Sequence, residues 1–378
     1  MFGQTLAIIR NTFFESIRQP IMLVVLVVAT IALIFSNLLA GFTMEDDQRM
    51  MIDLGLSTIM LCGTLLAAFI ATNVLNREIE NRTVLTVISK PVSRPVFVLG
   101  KYLGVAGALA LAMVYMSLVF LLVEMHGVLQ TVRDPIHAPV IVFAVGAGVG
   151  GLAAGVWCNY FYGRVFSSTV IVLTTILAAL AYLLSLMFDQ SFSLQPIGES
   201  FKPQLWLALA AIMMAIMVLT SIAIAASTRL GQVMTLCVTL GVFMLGLLSD
   251  SMLGQPIKQL DDMWLQRASA AGLTETIEDI RIIELDTGQI NQTVLEIEVA
   301  TVALTQMADG LGERLAHAAY WIAYSILPNF QKFWLSDALT QSRVIPPALL
   351  RQVLLYGLFY IVAALSLATI LFQRREVG

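Results

Sequence analysis

The chain has 378 residues, of which 58% are hydrophobic and 12% charged, and its net charge is −4. Soluble domains carry roughly 25% charged residues; half that share cannot clothe a water-facing surface of this size, which argues against a soluble cytosolic enzyme, and the apolar excess argues equally against a disordered chain. The acidic balance speaks against a nucleic-acid partner, which needs a basic face.

Residues 1–20 come first. Phe2, Leu6, Ile9, Phe13 and Ile17 recur at helical spacing, with Gln4, Arg10, Asn11 and Arg18 elsewhere on the wheel. The pattern predicts an amphipathic helix lying in the membrane interface, with a plain cytoplasmic tail as the alternative. A secretory signal is not expected, because the apolar run behind it is too long and no small-residue cleavage pattern closes it. Eight runs then lack any Asp, Glu, Lys, Arg or His: Ile21–Phe42, Leu54–Leu75, Tyr102–Val123, Pro139–Trp157, Ser167–Phe188, Leu205–Ala226, Leu230–Leu248 and Val353–Phe372. A helix crossing the hydrocarbon core needs ~20 apolar residues, and lipid offers unpaired backbone groups no other partner. The expected fold is an all-α polytopic membrane protein of about eight transmembrane helices. Seven would fall in 21–250, and the last, with a basic tail, in 352–378.

Glycines mark expected helix contacts. Gly146, Gly150, Gly151 and Gly155 form small-xxx-small repeats in the fourth run, and Gly100 with Gly104 forms one at the head of the third. Such repeats let helices approach closely, within a bundle or between protomers.

Orientation follows from the basic residues of the connecting segments. With the N-terminus cytoplasmic, the inner segments hold 11 basic and 4 acidic residues, and the outer ones 10 basic and 21 acidic. Arg164 and Arg229 sit in short inner turns, whereas Glu45, Asp46 and Asp47 crowd an outer one. Both termini are therefore expected in the cytoplasm. The polar stretch 251–351 becomes an extracytoplasmic, mostly helical domain. Within it, Arg281–Asp286 and Glu296–Val299 alternate around the turn-like Asp286-Thr287-Gly288, as a hairpin would. Val294, Ile297, Leu304, Met307, Leu311 and Leu315 compete at helical spacing, and the helical reading is preferred beyond Asn291 with the hairpin left open. Tyr320, Trp321, Tyr324, Phe330, Phe333 and Trp334 make residues 315–335 aromatic. This suits a helix at headgroup level, or the core of the outer domain.

No catalytic constellation emerges. The chain has no GxxxxGK[ST], HExxH or GxSxG, so no nucleotide is hydrolysed by the P-loop route. Cys62, Cys158 and Cys237 are widely spaced and without a CxxC, so neither a disulfide framework nor a zinc site is indicated. His126, His137 and His317 are scattered; the first two share one segment and would meet a metal only if they converged. Met213, Met214 and Met217 read as apolar gap-filling rather than a soft-metal path. No metal site and no cofactor in this chain is expected. The polar residues inside the runs are mild, such as Asn37, Asn73, Thr174 and Thr175. Ion-coupled carriers place charges near the midplane, so energy is expected to enter from a partner at a cytoplasmic segment.

The informative segment is 76–96, which holds Arg77, Glu78, Glu80, Arg82, Thr83, Lys90, Pro91, Ser93, Arg94 and Pro95. Mixed charge on a short helix, followed by a Pro-punctuated turn, suits a rigid docking element. The positive-inside rule alone explains its arginines but not its acidic pair. In Glu78, Glu80, Thr83, Pro91-Val92-Ser93-Arg94 and Gly100-Lys101 the chain resembles the type-2, exporter-like ABC-transporter permeases. The likeness extends to Asn11-Thr12-Phe13 with Arg18 and Pro20, to Pro328-Asn329-Phe330, and to the Phe372–Arg375 ending. Arg82 stands where many members have Gly, and eight spans exceed the usual six.

The resemblance implies a membrane subunit without an ATPase site of its own. It would pair with a second copy or a paralogue in a bacterial inner (plasma) membrane. Two separate ATPase subunits, holding ATP and Mg, would dock on Arg77, Glu78, Glu80, Arg82, Thr83, Pro91, Ser93 and Arg94. A second docking turn would lie at Arg164 or at Arg229. Relatives export drugs, polysaccharides or lipids, or serve metal-centre maturation, as the nitrous-oxide-reductase maturation transporter does. Competing readings are a secondary carrier, which the charge-free spans disfavour, and a membrane enzyme or a mechanical transmitter acting on a periplasmic partner through the outer domain.

Overall fold

Proline opens most of the long helices. It supplies a preset φ where the missing N–H would have had no partner, at Pro20, Pro95, Pro139, Pro203 and Pro347. The computed structural model describes residues 2–41, 47–80, 93–128, 136–284, 290–341 and 344–373. Its elements are α1 (Phe2–Ile17), α2 (Pro20–Ala40), α3 (Asp47–Glu80), α4 (Arg94–His126), α5 (Ala138–Tyr162), α6 (Phe166–Leu186), α7 (Pro203–Ser227), α8 (Gln232–Ser249), α9 (Gln255–Ala270), β1 (Thr274–Glu284), β2 (Ile290–Ala300), α10 (Leu311–Ile326) and α11 (Pro347–Gln373), with short helical turns between some of them.

Among the described residues eight helices are long and apolar enough to cross a membrane, and they coincide with the eight charge-free runs. The fold is an all-α polytopic membrane protein with one small hairpin. Several helices outrun their apolar stretch. α3 continues to Glu80 and α4 begins at Arg94. The expected 76–96 docking element overlaps both helices: residues 76–80 prolong α3, Arg94 and Pro95 open α4, and residues 81–92 lie outside the described residues. α11 likewise begins at Pro347, so the expected boundary at 352 falls inside a helix.

The chain forms two compact units, Met1–Leu240 with Leu350–Gly378, and Gly241–Leu349. In the first, α3, α4 and α7 are the most buried spans, and α2 and α6 pack on them. α5 pairs with α6 across a three-residue turn. Gly163 there takes a left-handed φ of 61° and closes α5, its N–H donating to Asn159 O and the next N–H to Cys158 O. The mild polar residues of the spans mostly satisfy themselves. Thr58, Thr72, Thr174, Thr175, Thr220 and Thr239 each donate to the carbonyl one turn back. Lipid would leave those hydroxyls unpaired, so back-bonding is the available solution.

In the second unit, α8 runs through a π-helical turn (Asp250–Gly254) into α9 as one 39-residue helix. β1 and β2 then pair antiparallel from Thr274↔Ala300 to Glu284↔Ile290. The helix preferred beyond Asn291 is therefore incorrect as far as Ala300. Thr293, Val294, Ile297 and Val299 are β-branched, and their propensity for a pleated ribbon with an equally branched partner outweighs the coincidental i, i+3 spacing. The turn-like Asp286-Thr287-Gly288 lies outside the described residues. α10 lies against α9, pinned at one end by Arg267 and Glu313 and further along by His317 and Asp261. Its apolar side, with Leu311, Leu315, Ile322 and Ile326, is exposed.

Candidate coupling site at the ends of α3 and α4

Four family-like motifs meet in two pairs, Asn11-Thr12-Phe13 with Gly100-Lys101 and Arg94 with the Phe372 end. α1 lies along the head of α4, and the expected glycine repeat there accommodates it. A Cβ at Gly100 would lie 2.8 Å from Ile8, and one at Gly104 would lie 2.5 Å from Thr12 and 2.8 Å from the Ile9 carbonyl. Thr12 and Ser16 are fully buried in this contact, whereas Leu6 and Phe14 stay exposed. The buried face of α1 keeps Ile17 of the sequence-read stripe, with Ile9 and Phe13 half-buried, and adds Thr12 and Ser16. Ile8 and Phe13 meet Gly100 and Gly107, so large side chains as well as hydroxyls fit the glycines. Lys101, next to Gly100, is buried with its Nζ 3.7 Å from Glu15 on α1 and 6.0 Å from the Phe97 ring. The Gly-Lys pair of α4 therefore holds the Asn-Thr-Phe helix.

The other expected packing glycines divide. Gly151 and Gly155 have no room for a Cβ beside Thr174 and Val170 of α6, Gly150 is in ordinary contact with Leu177, and Gly146 faces open space.

At the end where α3 finishes and α4 starts, a polar network joins elements distant in sequence. Asn73 of α3 accepts from Gln232 Nε2 at the start of α8, at 2.5 Å, and donates to Gln19 Oε1 in the α1–α2 turn, at 3.4 Å. Arg94, the first residue of α4, donates from Nη1 to the carbonyl oxygens of Gln373 (2.6 Å) and Phe372 (3.4 Å). Arg229, in the α7–α8 turn, donates from Nε to Leu371 O at 2.9 Å. Phe97 stacks on Phe372 with ring centroids 5.7 Å apart. Arg94 and Arg229, read from sequence as surface docking groups, thus reach the end of α11. No local pattern announces a contact between residues so far apart in the chain. Asn73, Gln19 and Gln232 have the faint signal of amides at the edges of charge-free runs.

Ser93 is exposed ahead of α4, and the Phe97 N–H donates to its carbonyl at 3.1 Å. Arg164 is exposed in the α5–α6 turn, its carbonyl accepting from Asn159 at 2.7 Å. Arg77, Glu78 and Glu80 fall on the last turns of α3, their side chains outside the described residues. Arg82, Thr83 and Pro91 lie outside the described residues altogether.

The opposite end of the same unit carries a second polar group. Glu124 is buried and accepts from Gln48 at 2.9 Å and from Lys202. Asn37 donates to Gly127 O at 2.8 Å. His137 is buried, and desolvation pushes its imidazole below the usual range, with Asp189 opposing and His126 reinforcing. No group of three or more His, Cys, Asp or Glu suited to a metal occurs among the described residues.

In the second unit the Pro-Asn-Phe motif packs on α8. A Cβ at Gly246 would lie 2.5 Å from the Pro328 carbonyl, and the Phe330 ring sits 5.5 Å from that of Phe243. Asn329 donates to the Tyr324 hydroxyl at 2.9 Å, and that hydroxyl reaches Asp250 of the π turn at 3.4 Å.

No curated protein and no solved structure matches the chain. Residues 16–158 match the family model described as ABC-2 family transporter protein. The match stops at that family and does not reach the nitrous-oxide-reductase maturation transporter. It opens at the close of α1 and runs into α5, taking in both helices that flank segment 81–92, and over that part, somewhat more than a third of its length, the chain is similar to the ABC-2 family of transporter membrane proteins.

Proposed function

We propose that this chain is an ABC-2 type permease, the membrane half of an exporter in a bacterial inner membrane. It is driven by two separate ATPase subunits and paired with a second copy or a paralogue. Both termini and segment 81–92 face the cytoplasm. ATP and Mg bind in the partner subunits, and this chain supplies the path and the moving helices. Nucleotide closure then biases a two-state bundle between inward and outward forms.

One observation carries the reading. Segment 81–92 joins two helices whose neighbouring turns are hydrogen-bonded to the α1–α2 turn, to α8 and to the end of α11. A push on that segment therefore reaches the bundle through fixed contacts rather than slack chain. The test is co-purification with the cognate ATPase. Glu78→Ala with Glu80→Ala should lower the ATPase recovered and the nucleotide-driven transport while membrane insertion stays normal. Recovery and transport equal to wild type would remove both residues from the interface.

A second reading, mechanical transmission to a periplasmic partner, is favoured by the length of the α8–α9 helix. Its 39 residues extend ~58 Å at 1.5 Å per residue, about twice the ~30 Å of the hydrocarbon core. The two readings are compatible, because one chain can both gate and push.

A further inference from the structure

The unit 241–349 is attached to the rest of the chain by two helices, α8 entering it and α11 leaving it. Each is tied at its far end to one flank of segment 81–92. Asn73, on the helix that enters the segment, bonds Gln232 at the first residue of α8. Arg94, on the helix that leaves the segment, bonds the last carbonyls of α11, and Arg229 bonds the carbonyl just before them. Those carbonyls are the ones an α-helix cannot satisfy internally, and they form the negative end of its dipole. Two guanidinium groups are therefore chemically matched partners rather than chance neighbours. The Phe97–Phe372 stack adds an apolar contact beside the charged one.

We infer that the 241–349 unit is driven from the last turns of α3 and the first turn of α4 through two stalks, α8 fastened to α3 by Asn73–Gln232 and α11 fastened to α4 by Arg94, with Arg229 tying α11 to the turn that leads into α8. The inference rests on the docking reading above. It makes Arg94 and Arg229 positioning residues inside the permease rather than contacts to the ATPase. A guanidinium can fasten several successive carbonyls at once, whereas an ammonium presents a point charge.

The test uses the permease reconstituted with its ATPase. A single environment-sensitive dye is placed on the exposed Leu311→Cys, in a background where Cys62, Cys158 and Cys237 are Ser. In the otherwise unaltered protein, ATP with Mg and vanadate should change the dye's emission. Arg94→Ala with Arg229→Ala should cut that change by about fivefold or more, the lower end of ordinary coupling factors, while ATPase recovery and ATP hydrolysis persist. In that double variant a disulfide between Phe97→Cys and Phe372→Cys, closed before the dye is attached so that Leu311→Cys carries the one free thiol, should restore the change, and dithiothreitol should abolish it again. A structural role alone would not produce rescue that follows the reductant. An undiminished change in the double Arg variant overturns the inference. So does a change that the cross-link fails to restore, or a silent dye in unaltered protein that binds its ATPase and hydrolyses ATP. Failure of the unaltered protein to bind any ATPase strikes at the docking reading instead.

Discussion

Gly104 and Gly146 look alike in the sequence, each a small residue in an apolar helix, yet their surroundings differ. Gly104 meets Thr12 and the Ile9 carbonyl at distances no Cβ tolerates, and Gly146 meets nothing within 4 Å. Gly104→Val is therefore expected to push α1 off α4 and to cost about 1–3 kcal/mol, as overpacking of a closed contact does. Gly146→Ala should be neutral or gain up to about 1 kcal/mol from helix propensity. Thermal unfolding in detergent of the two variants and the parent checks the contrast. The sequence offered the glycine spacing and the hydroxyls of α1 separately. What it could not offer is that the two fit each other, because complementarity between Gly100-Lys101 and residues 8–15 is a property of the pair. Arg94 illustrates the same limit: its charge suggested a surface role, and its partners lie at the far end of the chain.

At the level of elements, the helices that lipid demands were legible because the requirement is severe. The hairpin was not, because a short amphipathic stretch satisfies both periods and only its partner strand decides. The π turn had no sequence signal at all. The α9–α10 contact has a chemical handle. Glu313 accepts two hydrogen bonds from Arg267 (2.8 and 3.0 Å), one from Trp264 and one from the Asp309 N–H. These partners, Arg267 first, hold its carboxyl at about 2, well below the ordinary 4.5. A carboxylate with a depressed folded-state pKa contributes stability that is present above its unfolded value and is lost as protons reach it. The contribution should therefore be whole above about pH 4.5 and fade as the pH falls toward about 2. Glu313→Gln should unfold at lower temperature near neutrality, and its midpoint should fall less steeply than the parent's across that acid window.

For the whole molecule, topology is the feature most exposed to experiment. The charge asymmetry predicts the turn at Arg229 in the cytoplasm and residues after Ser251 outside. Reporter fusions at these two positions should give opposite compartments in that order, and the reverse pattern would invert every assignment made for segment 81–92. The ABC-2 match over residues 16–158 covers the region where the resemblance was densest. The region beyond it, including the hairpin and the long α8–α9 helix, is where sequence reasoning was thinnest, because pairings such as β1 with β2 join residues that no local period links.

That long helix carries one further consequence. Its π turn, closed by the Gln255 N–H donating to Asp250 O, is the form a regular helix takes when it absorbs a surplus residue. The extra residue is taken up locally, so the faces before and after it stay aimed at their own neighbours: Gly246 at the Pro-Asn-Phe corner, Trp264 at Glu313. In a regular rod each inserted residue would swing everything downstream by ~100°. The widened turn works instead as a phase corrector, letting an apolar rod and its more polar continuation be fitted to separate surroundings without either dictating the angular setting of the other.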